Sequence, residues 1–399
     1  MARSVLVLNS GSSSFKYALY KFGESTSCIF RGVLEGIGAS KSTITHKNVA
    51  GAHDIKVEVS DVINHRVGLH KVAQLLHSDH QEMHGIEAIG HRVTHGGESL
   101  TKPALITESV KKAIEAAIPL APLHNPPNLE GIKVAQEVFM CPQVAVFDTA
   151  FHSTIPPYAY MYALPLRLYK ELGLRRYGFH GTSYQYVLGQ AANLLLKPKD
   201  ELNVIIFHIG AGASIAAVSH GRCIDTTMGV TPLEGLVMAT RSGDVDPGIM
   251  QILADEKSLT VSDINKLLNK ESGLYGLCGE KDMKTVVDAA VAGSESHKLA
   301  MEVFVHRIRK YLGAYLVHLE GKVDALVFTA GIGERSAIIR SKVCERLDSF
   351  GVVLDEAKNE ENKKGGREVQ SANSKVKILV IPTDEELCIA QQTLEVVGA

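Results

Sequence analysis

The chain lacks several features that would have fixed its class at once. Its six cysteines (Cys28, Cys141, Cys223, Cys278, Cys344 and Cys388) form no CxxC pair, which argues against a disulfide frame or a cysteine zinc site and suits reduced thiols in a cytosol. No apolar run approaches the roughly 20 residues of a membrane span. A net charge of −2 leaves no basic excess to hold nucleic acid or an anionic membrane. There is no low-complexity segment, and the strand pattern begins so close to Met1 that a signal or transit peptide is not expected. Two nucleotide-binding fingerprints are also missing: GxxxxGK[ST] is absent, and no GxGxxG follows the first strand pattern.

What is present is a strand and a small-residue loop, occurring twice. The first copy reads Val5-Leu-Val-Leu-Asn-Ser-Gly-Ser-Ser-Ser14, the second Val204-Ile-Ile-Phe-His-Ile-Gly-Ala-Gly-Ala213. In each, four apolar residues precede one polar residue, Asn9 or His208, and a glycine follows, Gly11 or Gly210. A second apolar stretch comes next in both. Such a turn exposes backbone N–H groups with no side chains in the way, a cradle for phosphate oxygens. A chain of 399 residues exceeds one hydrophobic core, so two related half-domains are expected to grip a polyphosphate between them.

The order of elements repeats with the motif. Strand patterns over 4–8, 14–20, 28–34 and 43–46 precede a helical stripe of Val110, Ile114, Ala117 and Ile118, then a buried strand over 143–147 ending at Asp148. In the second half, strands over 203–207, 213–218 and 222–226 precede a long helix striped by Phe304, Ile308, Tyr311, Leu312, Tyr315 and Leu319. A strand over 325–329, another over 376–381 and a helix over 385–397 close the chain. Strands followed by alternating helices and strands, done twice, predict a duplicated α/β fold. The charged stretch 358–367 reads as a solvated surface loop.

Several segments offer chemistry. Gly210-Ala-Gly212 and Gly331-Ile-Gly333 read as glycine loops after apolar strands. Arg92 in His91-Arg-Val-Thr-His-Gly-Gly-Glu98 and Arg241 in Thr240-Arg-Ser-Gly-Asp-Val-Asp-Pro247 carry guanidinium forks suited to carboxylate or phosphate oxygens. His124 lies in Leu-His-Asn-Pro-Pro, read as a stiff turn with no helix; His180 reads as a glycine-flanked loop histidine aimed at a ligand. His152 and His208 read as structural. Asp148 ends a buried strand, where α/β sites tend to lie. In Thr383-Asp-Glu-Glu386, Thr383 is the expected helix cap, with Glu386 completing a capping box, and a carboxylate here suits a Mg²⁺–nucleotide complex.

Together, and collinearly along the whole chain, these segments resemble the acetokinase (acetate kinase) family of the sugar kinase, heat-shock chaperone ATPase and actin superfamily. The opening Leu8-Asn-Ser-Gly-Ser-Ser-Ser14 with Lys16 is similar to one family signature, and Asp225-Thr-Thr-Met-Gly-Val-Thr-Pro-Leu-Glu-Gly235 to the other. Arg176-Tyr-Gly-Phe-His-Gly-Thr182 and the arginine, glycine and acidic segments above add to them. The resemblance implies an α/β fold of duplicated ribonuclease H-like (actin-type ATPase) domains with a cleft between them. It implies an N-terminal domain over 1–150, against which a C-terminal helix 386–399 packs back, and a nucleotide-binding domain over 151–385. The reaction implied is reversible, Mg²⁺-dependent, in-line phosphoryl transfer from ATP to acetate, giving acetyl phosphate and ADP.

Residue by residue, the resemblance places Asn9 and Glu385 on Mg²⁺, with Mn²⁺ as the alternative ion. Lys16 and the loop His208, Ile209, Gly210, Ala211 and Gly212 would contact nucleotide phosphates. Asp282, Met283 and Lys284, with Gly331, Ile332, Gly333, Glu334 and Arg335, would frame the nucleoside. Arg92 would hold the acyl carboxylate, Arg241 and His180 the migrating phosphoryl group, with His124 close by and Asp148 as acid/base. Thr94, Leu123, Phe179 and Pro232 would line a small acyl pocket. The family is usually a homodimer; a cytosolic location and no nucleic-acid or membrane partner are expected from the cysteines, charge and hydropathy above. This chain departs from the family pattern at Ala211, where asparagine is usual, and at Lys284, Arg335 and Thr94. Propionate or butyrate as acceptor, and pyrophosphate or another nucleotide as donor, therefore stay open. A filament or chaperone role of the same superfamily has no use for Arg92, His180, Arg241 and Asp148.

Overall fold

The computed structural model describes residues 3–11, 13–49, 54–59, 62–79, 85–361 and 363–398. The chain divides into two compact units, Met1–Ser153 with Asp384–Ala399, and Thr154–Thr383.

The strands of the first unit are β1 (Arg3–Ser10), β2 (Ser14–Phe22), β3 (Thr26–Glu35), β4 (Ser42–Asn48), β5 (Asp54–Val59), β6 (Ile86–Val93), β7 (Ala104–Leu105) and β8 (Gln143–Phe147). They form one sheet in the order β5-β4-β3-β2-β1-β6-β8-β7. The second unit holds β9 (Val204–Ile209), β10 (Ala213–Ser219), β11 (Arg222–Thr226), β12 (Ala325–Thr329), β13 (Arg367–Glu368) and β14 (Lys377–Val380), in the order β11-β10-β9-β12-β14-β13. The duplication shows in the centre of each sheet. β3-β2-β1 and β11-β10-β9 are antiparallel meanders, while β6 and β8, and likewise β12 and β14, run parallel to the first strand of their meander. This is the duplicated ribonuclease H-like, actin-type ATPase architecture. Parallel neighbours need crossovers, and helices supply them, Glu108–Ala116 and Asn125–Val138 before β8 and Ala330–Arg335, Ala337–Cys344 and Glu356–Glu360 before β14.

Both faces of the first sheet are covered, and the side-chain period of two sorts the residues. Leu6 and Leu8 of β1 join a core with Phe15, Leu19, Phe30 and Val134, whereas Val5 and Val7 pack with Val144, Val146, Ile389 and Leu394. The second group rests on the last helix, Glu385–Val397, which returns to the first unit. That helix comes so close to β6 that a Cβ on Gly90 would lie 2.3 Å from Thr393 Oγ1, so only glycine fits there. In the second unit Phe207 and Phe328, from adjacent parallel strands, stack at 4.7 Å inside the core that the long helix Glu295–His318 covers.

Several local expectations are corrected. β5, β7, β13 and the helix His65–Asp79 gave no clear signal in sequence. The helix after Thr107 stops at Ala116, and a short 3₁₀ turn, Ile118–Leu120, carries Pro119. The supposed loop over 358–367 begins inside a helix, Glu356–Glu360, because Asp355 caps it and the buried Asn359 side chain is bonded to Arg340 and Ala337; Asn362 lies outside the described residues. Thr383 does not cap the last helix. Asp384 does, accepting from the Leu387 N–H, while Thr383 Oγ1 pairs with Ser183. Asp384 also accepts from the Tyr20 hydroxyl at 2.9 Å, a second contact that favours it as the cap.

His91 and His95 are buried at 2% and 0% exposure. Burial pulls both imidazoles down to about 4, in His91 against the opposing effect of its 2.8 Å bond to Gln143. The unfolded chain, with ordinary values near 6.5, then takes up protons that the folded chain refuses. The stability these neutral rings contribute is complete above pH 6.5 and is lost as the pH falls toward 4. Melting temperatures across that window should decline, and less steeply for His91→Gln; equal slopes for the two proteins would remove His91 as a cause.

Candidate functional site

In the first unit, the parallel strands β1, β6 and β8 bring Asn9, Arg92 and Asp148 to their carboxyl ends, where α/β sheets place ligands. Arg92 donates Nε to Asp148 Oδ1 at 3.1 Å and Nη2 to Oδ2, a bidentate fork, and its Nη1 reaches Asn9 Oδ1 at 3.3 Å. Asp148 is 1% exposed and the Arg92 side chain 25%, so a buried carboxylate aims a guanidinium whose outer edge stays accessible. Burial alone would pull Arg92 down, but Asp148 and Glu385 outweigh it and hold the guanidinium above its ordinary value. Glu385, at the first turn of the last helix, is raised too, toward its neutral form. Its burial raises it, Asp148 and Glu386 add to the rise, and Arg92 and Lys16 oppose it. Lys16 lies opposite Asn9 in the β1–β2 register and is exposed.

The helix Asn125–Val138 braces these strand ends, and sequence reasoning missed how. Asn128 accepts from the Thr94 N–H and donates to the Ser10 carbonyl; Asn125 exchanges bonds with both backbone groups of His95. Buried asparagines inside an Asn-Pro-Pro-Asn run were the available signal. His124, expected in a turn with no helix, is the N-cap residue of that helix, because Pro126 and Pro127 fit its first turn. Leu123 is 66% exposed and Thr94 is buried. The Gly11 turn is described only in part, since Ser12 lies outside the described residues.

In the second unit, β9 ends at His208 and Ile209, and the turn to β10 closes with the Gly210 N–H on the Gly212 carbonyl at 3.0 Å. A Cβ built on Gly212 would sit 3.4 Å from His180 Nε2 and 3.7 Å from Arg241 Nη1, so the cradle, a histidine and an arginine face one another here. His180 is the N-cap residue of the helix Gly181–Leu195, in the left-handed region at φ 60°. Its ring stacks on His208 at 4.0 Å, and its Nδ1 pairs with Ser214 Oγ at 2.8 Å. His208 pairs with Ser183, which continues to Thr383.

Arg241 differs from Arg92 in having, among the described residues, no carboxylate on its guanidinium. Its contacts are the Pro232 carbonyl at 3.2 Å and Met238 Sδ at 3.7 Å, and burial pulls it below its ordinary value. A desolvated guanidinium with donors to spare is a site for an anion. Gly331, Ile332 and Gly333 do not form a loop. They lie in a short helix, Ala330–Arg335, whose start neighbours the cradle: a Cβ added to Gly210 would lie 3.7 Å from the Ala330 Cβ. Arg340, another residue the sequence did not single out, is buried and holds the Gly333 and Glu334 carbonyls. Asp282 caps the helix Met283–Val291, Met283 packs in the core, and Lys284 is exposed. Phe179 is a core residue at 3% exposure; Ala211, where the family asparagine would be, and Arg335 are exposed.

Comparison with known proteins accounts for this arrangement. The family model described as "Acetokinase family" matches residues 4–391. The chain belongs to the acetokinase family. An acetate kinase of Oleidesulfovibrio alaskensis is 48% identical over 98% of this chain and 99% of its own length. One from Thermotoga maritima is also 48% identical, over 98% of each chain. Among solved structures, Porphyromonas gingivalis acetate kinase superposes with a TM-score of 0.94 at 40% identity, covering 99% of this chain and all of the other. A Francisella tularensis propionate kinase gives 0.93 at 42%, with the same coverage. The chain is a kinase.

The spacing at Gly212 separates fold from function. An added methyl would make ordinary van der Waals contact with His180 and Arg241, so Gly212→Ala should fold with a near-normal melting temperature. It should nevertheless weaken a phosphate-bearing ligand by about tenfold, measured by calorimetric titration with ADP, because it occupies the space in front of the donors. Unchanged ADP affinity would show that the ligand does not lie there.

Proposed function

We propose that the protein is an acetate kinase, transferring a phosphoryl group reversibly from ATP to acetate to give acetyl phosphate and ADP. The observation that carries this is Arg241: a partly buried guanidinium with no carboxylate partner, next to His180 and the Gly210–Gly212 turn. The names of relatives nearly half identical over the full chain support the acyl chemistry.

Acetate is already an oxyanion at neutral pH, so attack on the terminal phosphorus needs no strong base. The acetate oxygen bonds to phosphorus as the bond to the bridging oxygen of ADP breaks, and the leaving electron pair stays on ADP. The residues' work is placement and charge neutralisation. Arg92 takes the acetate carboxylate, and its fork with Asp148 supports an orienting role for Asp148 over proton transfer. Arg241 and His180 bond the equatorial oxygens of the moving group; His180 turns Nε2 toward the glycine turn because Nδ1 is engaged by Ser214. The His208–Gly212 turn and Lys16 hold nucleotide phosphates; 282–284 and 331–335 frame the nucleoside. His124 stays close to the phosphoryl group, and Thr94, Leu123, Phe179 and Pro232 bound the acyl group.

Asn9 and Glu385 fit Mg²⁺. Both offer oxygen donors, which this hard ion prefers, and the push on Glu385 from Asp148 and Glu386 is negative charge that a cation relieves. Bound there, Mg²⁺ would supply charge neutralisation for the nucleotide phosphates. The homodimer and the cytosol remain part of the proposal, the latter supported by six cysteines that form no disulfide. Among the described residues, no helix is long and apolar enough to cross a membrane.

A second acceptor is favoured by one observation: the propionate kinase among the structural relatives is as similar in fold as the acetate kinase. Trapping acyl phosphate as hydroxamate, with acetate, propionate and butyrate crossed against ATP, GTP and pyrophosphate, should give the highest kcat/KM for acetate with ATP. Arg241→Ala should lower that rate on the order of 10²–10³-fold while the protein stays folded. Near-normal turnover of the folded variant would sink the assignment.

A further inference from the structure

A partly buried cluster behind the second unit's site has no part in the roles assigned above, yet both of that site's phosphoryl-binding side chains hang from it. Its centre is Glu234. Arg176 donates Nη2 to Glu234 Oε1 at 2.6 Å, and the Tyr162 hydroxyl donates to Oε2. Arg176 Nη1 also gathers the carbonyls of Thr226, Thr227 and Met228 at 2.9, 3.1 and 3.1 Å. The Tyr162 oxygen in turn accepts from the Val230 N–H at 3.0 Å. Glu234, Arg176 and Tyr162 thus hold this segment at 226–228, 230 and 234, with Asp225 3.8 Å from Arg176 Nε as a second acidic neighbour.

That segment has two outputs. The Gly229 carbonyl accepts from the N–H groups of Tyr177 and Gly178, at 3.1 and 3.2 Å, with Phe179 between them and His180. The Pro232 carbonyl accepts from Arg241 Nη1. Room for this is tight. A Cβ on Gly229 would lie 1.8 Å from Glu234 Oε2 and 2.2 Å from the Tyr162 oxygen, so the backbone here is packed directly against the pair. The far end is held separately, by Asp244 on the Gly235 N–H and Arg307 on its carbonyl.

We infer that Glu234, held between Arg176 and Tyr162, is a positioning residue that sets Arg241 and His180 through the backbone of 226–235. The inference rests on the acetate kinase reading. None of the three side chains is among the residues assigned above to substrate. They fix two carbonyls that aim the donors, and small misplacements of such donors are costly. Neutralising or shortening this cluster should leave nucleotide binding alone, since the Gly210–Gly212 turn is not among its partners.

The test is Tyr162→Phe, which removes one hydroxyl and keeps the ring. Turnover should fall on the order of ten- to hundredfold with KM for ATP unchanged. Glu234→Gln, which keeps an acceptor for Arg176, should retain more turnover than Glu234→Ala. The second readout needs no activity: the rate at which phenylglyoxal modifies Arg241, followed by peptide mass spectrometry, should rise about threefold or more in Tyr162→Phe as its anchoring carbonyl loosens. A variant with wild-type turnover, or with lower turnover but an unchanged Arg241 modification rate, overturns the inference, as does a rise in KM for ATP that accounts for the loss. If the wild type itself makes no acyl phosphate, the functional reading falls, and the phenylglyoxal rate alone decides whether the cluster holds Arg241.

Discussion

Taking a guanidinium out of water is the constraint on which the rest of this structure turns, because each buried arginine must then be answered by something polar. Arg92 is answered by the Asp148 fork and Arg176 by Glu234 and a row of carbonyls. Arg340 is answered by carbonyls and the Asn359 amide, without a carboxylate, and burial, with Arg367 adding to it, pulls it down to about 10. Arg241 is the exception. It keeps one carbonyl and a sulfur, and stands open toward the glycine turn. Arg176 and Arg340, with full sets of partners, organise backbone; Arg92 keeps an accessible outer edge, and Arg241 keeps donors to spare.

The same economy of partners explains how two related units come to differ. Each presents a loop after the first strand of the same five-strand pattern, yet the residues next to the loops are not equivalent. In the first unit the strand end carries Asn9, beside a paired arginine and near a carboxylate raised by burial, with its acidic neighbours adding to the rise. In the second the equivalent polar residue is His208, stacked on His180 and followed by a glycine turn. The scaffold is duplicated, and the residues at matched positions differ.

Much of this was legible in the chain itself. β8, β12 and the final helix are where hydrophobic period and punctuation place them, to within a residue or two, while the stripe that begins at Phe304 marks the long helix but not its start at Glu295. Short local signals misled where two local solutions competed. Thr383 and Asp384 can each cap the last helix, and the choice fell to Asp384 because Tyr20 donates to it while Thr383 is drawn to Ser183. Leu-His-Asn-Pro-Pro suits a turn or a helix start, and the buried bonds of Asn125 and Asn128 to 94 and 95 favour the helix.

By itself the sequence determined the strand and helix pattern, the doubled phosphate cradle and the residue types offered to a ligand. These depend on neighbours a few positions apart, and their periodicity is visible in the chain. Which carboxylate, if any, meets each arginine was decided only in three dimensions. Arg92 and Asp148 are 56 residues apart and Arg176 and Glu234 are 58 apart, joined by the register of parallel strands and by the course of a long segment. No local rule reaches that far. The sequence singles out Arg241 among small residues but not its partners, and it is tertiary packing that leaves it, among the described residues, without an acidic partner beside His180 and Gly212.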